Sequence, residues 1–307
     1  MKPISKFMIA GISALSVIIL ATSAQASGRL KAPIADWTGG HVLCTIAELI
    51  IERELDYKVE RVTMPSGAPV AEALAAGDLD FACENWPSYN AWNADMIEGY
   101  GGDGSVIDLG NTGIVGISSY YVPKYFIDEL APDLISLDQL NKYKEHFATL
   151  ETGGKGRLIA CPTPAWECQD QDRLDIHGVD FVAVELGTET AAWAEAKAAY
   201  ARKEPFLLYA WEPHWIHAAL ELVALDLPPY DADKWPATGW AEDVTFNYGS
   251  VTFVDEHPEA AAVLSNMNIS NLEQGKLVLA IDEEGRDIYE VVNEWLDNNE
   301  NTWKSWL

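Results

Sequence analysis

Four short segments set a tryptophan among turn residues and acids: Asp36-Trp37-Thr38, Glu84-Asn85-Trp86-Pro87, Pro164-Ala165-Trp166-Glu167-Cys168 and Ala210-Trp211-Glu212-Pro213. A water-soluble chain ordinarily hides tryptophan in its core, so repeated tryptophan at loop positions points to a built site. The face of an indole is electron-rich and attracts cations, most effectively those that water solvates poorly, such as a trimethylammonium group. The chemistry these residues predict is capture of a methylated onium solute. Glu84, Glu167 and Glu212 stand beside the rings, where an acid either faces solvent, its ordinary place, or helps to hold a cation. Of the 12 tryptophans, Trp193, Trp295, Trp303 and Trp306 read as packing residues; Trp92, Trp215, Trp235 and Trp240 are left open, with packing preferred.

Competing chemistries have less in the residues to support them. A carbohydrate-binding protein or glycosidase would use tryptophan platforms with Glu84 and Glu212 as its carboxylate pair, but nothing in their spacing fixes a separation. His214 and His217 lie three apart and with Glu212 offer three metal-ligand types, yet no His-Glu-x-x-His pattern is present, and no metal or other cofactor is expected. Neither a phosphate-cradling glycine loop nor a Gly-x-Ser-x-Gly nucleophile elbow occurs, so the chain does not read as an enzyme.

The elements that must position the rings alternate between strand and helix. Ala32 to Ala35 and Lys58 to Thr63 read as strands flanking a helix from His41 to Arg53, entered through Gly39 and Gly40. Pro69 to Ala76 reads as a helix ended by Gly77, and Leu79 to Cys83 as a buried strand leading into Glu84. A second unit follows the strand-like Ile114 to Val122. It holds strands at Leu158 to Cys161, Phe181 to Val184 and Phe206 to Trp211, an alanine-rich helix at Thr190 to Arg202, and an irregular connection from Asp226 to Trp240. Phe246 to Val254 reads as a strand returning to the first unit, with helices from Pro258 onward. In doubly wound α/β sheets, ligands sit beyond the carboxyl ends of strands, where Trp37, Trp86, Trp166 and Trp211 all fall.

Lys2 and Lys6, the apolar stretch Met8 to Ala21 and the small-x-small run Ala24-Gln25-Ala26 read as a signal peptide over residues 1–26, which places the mature protein in a periplasm. The formal net charge is −28. Such an excess of carboxylates argues against nucleic acid or anionic lipid as a partner. Four cysteines in an exported chain read first as two disulfides. A Cys161–Cys168 bridge would close a loop around Trp166 and leave Cys44 with Cys83, but three pairings are open.

Several stretches together resemble the glycine betaine and proline betaine binding proteins of ABC importers, the ProX and OpuAC type. They are Gly77-Asp78-Leu79-Asp80 to Trp86, Cys161 to Cys168 around Trp166, the run Leu208-Tyr209-Ala210-Trp211-Glu212-Pro213-His214-Trp215, and Asn247-Tyr248-Gly249. The resemblance implies an α/β, two-lobed periplasmic binding fold of type II-like architecture, each lobe a doubly wound sheet with flanking helices and the ligand in the cleft between them. It implies lobe I at residues 27–118 with 245–307, lobe II at 119–244, and a monomer that delivers its solute to an inner-membrane permease. Trp86, Trp166 and Trp211 match the family's aromatic cage, and Trp37 is added as a fourth wall. The chain departs from the family at Asn90, where a histidine helps hold the betaine carboxylate, and at Glu167, where glycine is common. Three acids around a zwitterion favour its cationic end and repel its carboxylate, which moves the expectation from glycine betaine toward choline or trimethylamine N-oxide. The expected ligand-binding set is therefore Trp37, Trp86, Trp166, Trp211, Glu84, Asn90, Glu167 and Glu212.

Overall fold

The computed structural model describes residues 28–307; the expected signal peptide, residues 1–26, lies outside the described residues. Two parallel strands, β1 (Gly28–Ile34) and β2 (Tyr57–Thr63), are joined by the helix Thr38–Glu54. That helix buries Val42, Leu43, Ile46, Ile50 and Ile51 on one face at helical spacing. Full burial of five such side chains is worth up to about 8–15 kcal/mol, which outweighs the roughly 2 kcal/mol that two glycines cost near its start. Gly39 and Gly40 consequently sit in the first turn of the helix, which begins three residues earlier than the periodicity alone indicates.

The helix Ala68–Ala75 leads to β3 (Phe81–Asn85), all of whose residues are buried. The next strand, β4 (Val106–Pro123), is 18 residues long and begins well before the expected Ile114. Irregular pairing near Asp108–Gly110 and Asn111–Val115 lets so long a strand bend, which its sequence disguises as a loop.

The second unit holds β5 (Gly156–Ile159), β6 (Phe181–Val184), β7 (Leu207–Glu212) and the short β8 (Leu222–Ala224). The chain returns in β9 (Asp243–Ser250). The strand order is β3-β9-β4-β7-β5-β6, with β8 also against β4. The first part of β4 pairs with β9 and its last part with β7 and β8, so one strand runs through both sheets. Within the second sheet, β5 is parallel to β6 and to β7. This is a two-lobed α/β architecture, one lobe on β1, β2, β3 and β9, the other on β5 to β8.

The expected strand Phe246–Val254 is corrected at its end. Ser250 stops β9, its hydroxyl accepting from the Phe253 amide at 3.1 Å, and residues Val251–Glu256 form a helix. Helices Pro258–Asn266, Asn271–Asp282 and Ile288–Asn298 then cover the helix Thr38–Glu54, with Ser270 and Glu273 closing a capping box. No helix among the described residues is long and apolar enough to cross a membrane.

Candidate functional site

The two disulfides are Cys44–Cys83 and Cys161–Cys168. The first ties the helix that follows Trp37 to the strand that precedes Trp86. The second closes the loop around Trp166. Both therefore brace the points at which a ring leaves the regular scaffold.

A cavity of about 60 Å³ lies between the lobes, lined by Trp37, Glu84, Trp86 and Asn90 from the first and by Trp166 and Trp211 from the second. Six of the eight expected ligand-binding residues thus converge. The Trp37 and Trp166 rings meet edge to face at 6.0 Å between centroids, and Trp166 and Trp211 at 5.6 Å. Trp166 Nε1 also donates across the cleft to Asp36 Oδ1 at 2.8 Å. Trp86 lies over Gly116 of β4, where an added Cβ would come within 2.5 Å of its ring.

Glu212 and Glu167 are elsewhere. Successive residues of a strand point to opposite faces, so with Trp211 turned inward Glu212 is exposed and accepts from the Tyr121 hydroxyl at 3.2 Å. Glu167, at φ 53°, turns out of the Trp166 loop into a surface depression shared with Asp170, Asp172 and Glu185. Asn90 lines the cavity with its polar atoms already used: its amide donates to Asn85 Oδ1 at 2.8 Å and to the Trp86 carbonyl at 3.1 Å, and its oxygen accepts from Trp92 Nε1 at 2.8 Å.

Glu84 is the unusual group. Pairing between β3 and β9 is irregular between Ala82 and Asn85, and Glu84 has φ 61°, a conformation that costs a non-glycine residue energy and recurs at functional sites. The bulge turns the carboxyl into the interior, where it is 1% exposed. It accepts from Trp86 Nε1 at 3.0 Å and Gln274 Nε2 at 2.8 Å. Burial outweighs these donors and pushes its pKa up to about 8. Trp37 Nε1, also buried, lies near this carboxyl without a well-formed hydrogen bond. Among the described residues, no lysine, arginine or histidine lines the cavity.

The sequence reading missed Tyr89, Ser118, Tyr209 and Tyr248, which complete the wall. The Tyr89 hydroxyl bonds to Ser118 and meets the Tyr209 hydroxyl at 2.7 Å. The Tyr209-x-Trp211 spacing was the available signal, since residues two apart on a strand share a face. Trp235 and Trp240, left open by the sequence, stack on the buried Arg173 guanidinium at 4.7 and 3.9 Å from their centroids. Trp193 packs behind Trp211 at 5.3 Å. His214 and His217 serve different partners, Glu189 Oε1 at 3.0 Å and the Trp211 carbonyl at 3.0 Å.

A two-lobed α/β scaffold with an aromatic cavity in its cleft defines a solute-binding protein. Residues 29–298 match the family described as the substrate binding domain of the ABC-type glycine betaine transport system, OpuAC, and the chain belongs to that family. It is 25% identical to the trimethylamine N-oxide-binding protein of Pelagibacter ubique over 303 residues, 95% of each chain. Its fold is similar to the glycine betaine/L-proline-binding protein ProX of Borrelia burgdorferi, with a TM-score of 0.74, 20% identity, and 91% of this chain and 96% of that one covered. It is also similar to an ABC-transporter choline binding protein in complex with choline, with a TM-score of 0.71, 19% identity and 91% of each chain covered. As a member of a transport family the chain is a non-catalytic binding protein, and the glycosidase alternative on Glu84 and Glu212 is set aside.

Proposed function

We propose that the protein captures a compact methylated onium solute outside the cytoplasm, with trimethylamine N-oxide its preferred ligand, and presents it to an inner-membrane permease. The lobes would divide at residues 27–118 with 245–307 and 119–244, and close when methyl groups touch rings from both sides. Trp37, Trp86, Trp166 and Trp211 form the cage, and Glu84 meets the polar end.

The observation that carries this reading is the fully buried carboxyl of Glu84, which burial holds above the usual carboxylate range, lining one cavity with four indoles and with no basic side chain there among the described residues. A protonated Glu84 donates a hydrogen bond to an N-oxide oxygen. The carboxylate of glycine betaine or dimethylsulfoniopropionate finds no cation to neutralise it, and Asn90, the remaining polar candidate, is committed to its neighbours.

Energies are adequate. A desolvated cation–π contact is worth about 1–2 kcal/mol, so four rings supply roughly 4–8, and micromolar capture needs about 8. The hydrogen bond from Glu84 contributes the balance against the cost of ordering and closure.

Isothermal titration of trimethylamine N-oxide, choline, glycine betaine and dimethylsulfoniopropionate tests the proposal. The N-oxide is expected to bind at micromolar concentration and more tightly than the other three. A tighter carboxylate-bearing ligand would reject the role given to Glu84, and failure of all four would reject the class.

A further inference from the structure

Beneath the cage, one carboxylate joins the two lobes. Glu189 opens the helix Glu189–Ala201 of the second lobe and is 4% exposed. Its Oε2 accepts from the backbone amide of Thr38 in the first lobe at 2.9 Å. Its Oε1 accepts from Trp193 Nε1 and His214 Nε2, both at 3.0 Å and both on its own lobe. His214 Nδ1 accepts from the Ile216 amide at 3.2 Å, which leaves Nε2 as the protonated nitrogen and makes it the donor to Glu189.

Each contact leads to a cage ring. Thr38 directly follows Trp37 and begins the helix Thr38–Glu54, whose first turn holds no acid and whose Trp37 side chain makes no cap. The unsatisfied amides and positive end of that helix are thus met by a carboxylate from the opposite lobe. On the other side, Trp193 and His214 pack against Trp211 at 5.3 and 4.9 Å between centroids. Asp282 runs alongside, accepting from Thr38 Oγ1 at 2.7 Å and from Trp215 Nε1 of the second lobe at 3.0 Å, and Lys197 pairs with Glu283.

We infer that Glu189 is a positioning residue for capture: an interlobe cap on the helix of Trp37 that locks the closed cage from behind without touching the ligand. It rests on the proposed function for its ligand, and it assigns Glu189 to the rate of release. When the lobes part, the Thr38 amide and the carboxylate must both be resolvated, so closure gains a charge-assisted bond the open form lacks.

Glutamine separates this role from simple packing. With its one oxygen accepting from Trp193 and His214, a glutamine at 189 turns its amide nitrogen toward the Thr38 amide, so the bonds within the lobe stay and the one between lobes is lost. From the other side, Thr38→Pro removes the backbone donor at the first helical position, where proline is tolerated, and Trp37 at φ −131° and ψ 148° suits the residue before a proline.

Stopped-flow tryptophan fluorescence with trimethylamine N-oxide and small-angle scattering of the ligand-free proteins test it on wild type, Glu189→Gln, Thr38→Pro and the double variant. Each single variant should release ligand about tenfold faster with association changed less than about twofold, and the double variant should release no faster than Thr38→Pro alone, because both substitutions remove the Thr38–Glu189 bond, Thr38→Pro taking with it the hydroxyl bond to Asp282 within the first lobe. Unchanged release in Glu189→Gln, or a double variant whose effect is the product of the singles, would overturn the inference. If wild type binds none of the four onium compounds, the proposed function fails separately. The scattering then decides: a larger radius of gyration in both single variants supports the clasp, and radii equal to wild type reject it.

Discussion

Glu84 concentrates several unfavourable choices at one position: a left-handed backbone, full burial and a carboxyl without a cationic partner. Its folded pKa of about 8 lies above the ordinary 4.5, so the folded protein holds this proton more tightly than the unfolded chain. Its contribution to stability is therefore fully present below about pH 4.5, declines as pH rises, and is spent above about pH 8. Under the proposed function, capture should follow the same proton. Trimethylamine N-oxide affinity is expected to hold below about pH 8 and fall toward tenfold per pH unit above it, as the donor becomes a carboxylate. Glu84→Gln retains a donor, so its affinity should stay flat across the same range in titration calorimetry. Affinity that rises with pH would point instead to a plain cation such as choline, held by ionised Glu84.

At the scale of elements, much is legible in the sequence. The βαβ rhythm and the strand ends placed Trp37, Trp86 and Trp166 in turns facing one cleft. What escaped were features that local pattern does not encode. The bulge at Glu84 depends on its pairing with β9, more than 150 residues away, and the early start of β4 is masked by Gly110 and Gly113. Glu212 misled because neighbours in sequence were taken as neighbours in space, although the pleat sends it away from Trp211. Loop approach across the cleft was invisible for the same reason. Gly67, at φ 79°, lies so close to the Ala165 carbonyl of the other lobe that a Cβ would come within 2.5 Å of that oxygen. Gly67→Ala should therefore hold the lobes apart, weakening ligand binding at least about tenfold, since both the clash and the backbone strain oppose closure. Calorimetry and scattering with ligand present would check it: wild-type affinity together with wild-type compaction contradicts the steric account.

For the whole molecule, the shared strand β4 and a main hydrophobic core that spans both lobes would make the proposed closure a movement of large bodies about a few strands. A ligand held by rings from both lobes binds only the assembled form, so it stabilises the fold by mass action. At about 100 times its dissociation constant the gain is about 2.7 kcal/mol, which for a chain of this size raises Tm by roughly 5–10 °C. Differential scanning calorimetry should show that rise as a single transition with trimethylamine N-oxide and no rise with an uncharged isostere such as tert-butanol. Equal shifts with both would mean that shape alone is recognised.

The guanidinium of Arg173, wedged between Trp235 and Trp240, bears on how such experiments will look. This lobe devotes part of its indole complement to a tethered internal guest, while among the tryptophans of the described residues Trp37, Trp86, Trp166 and Trp211 line the interlobe cavity. With 12 indoles in the chain, two-thirds of the chromophores lie outside the cavity lining, so an emission change from a ligand bound there would ride on a steady background. Replacing Trp295 and Trp306, which stack on each other far along the chain, by phenylalanine would darken that background and leave the reporting rings in place.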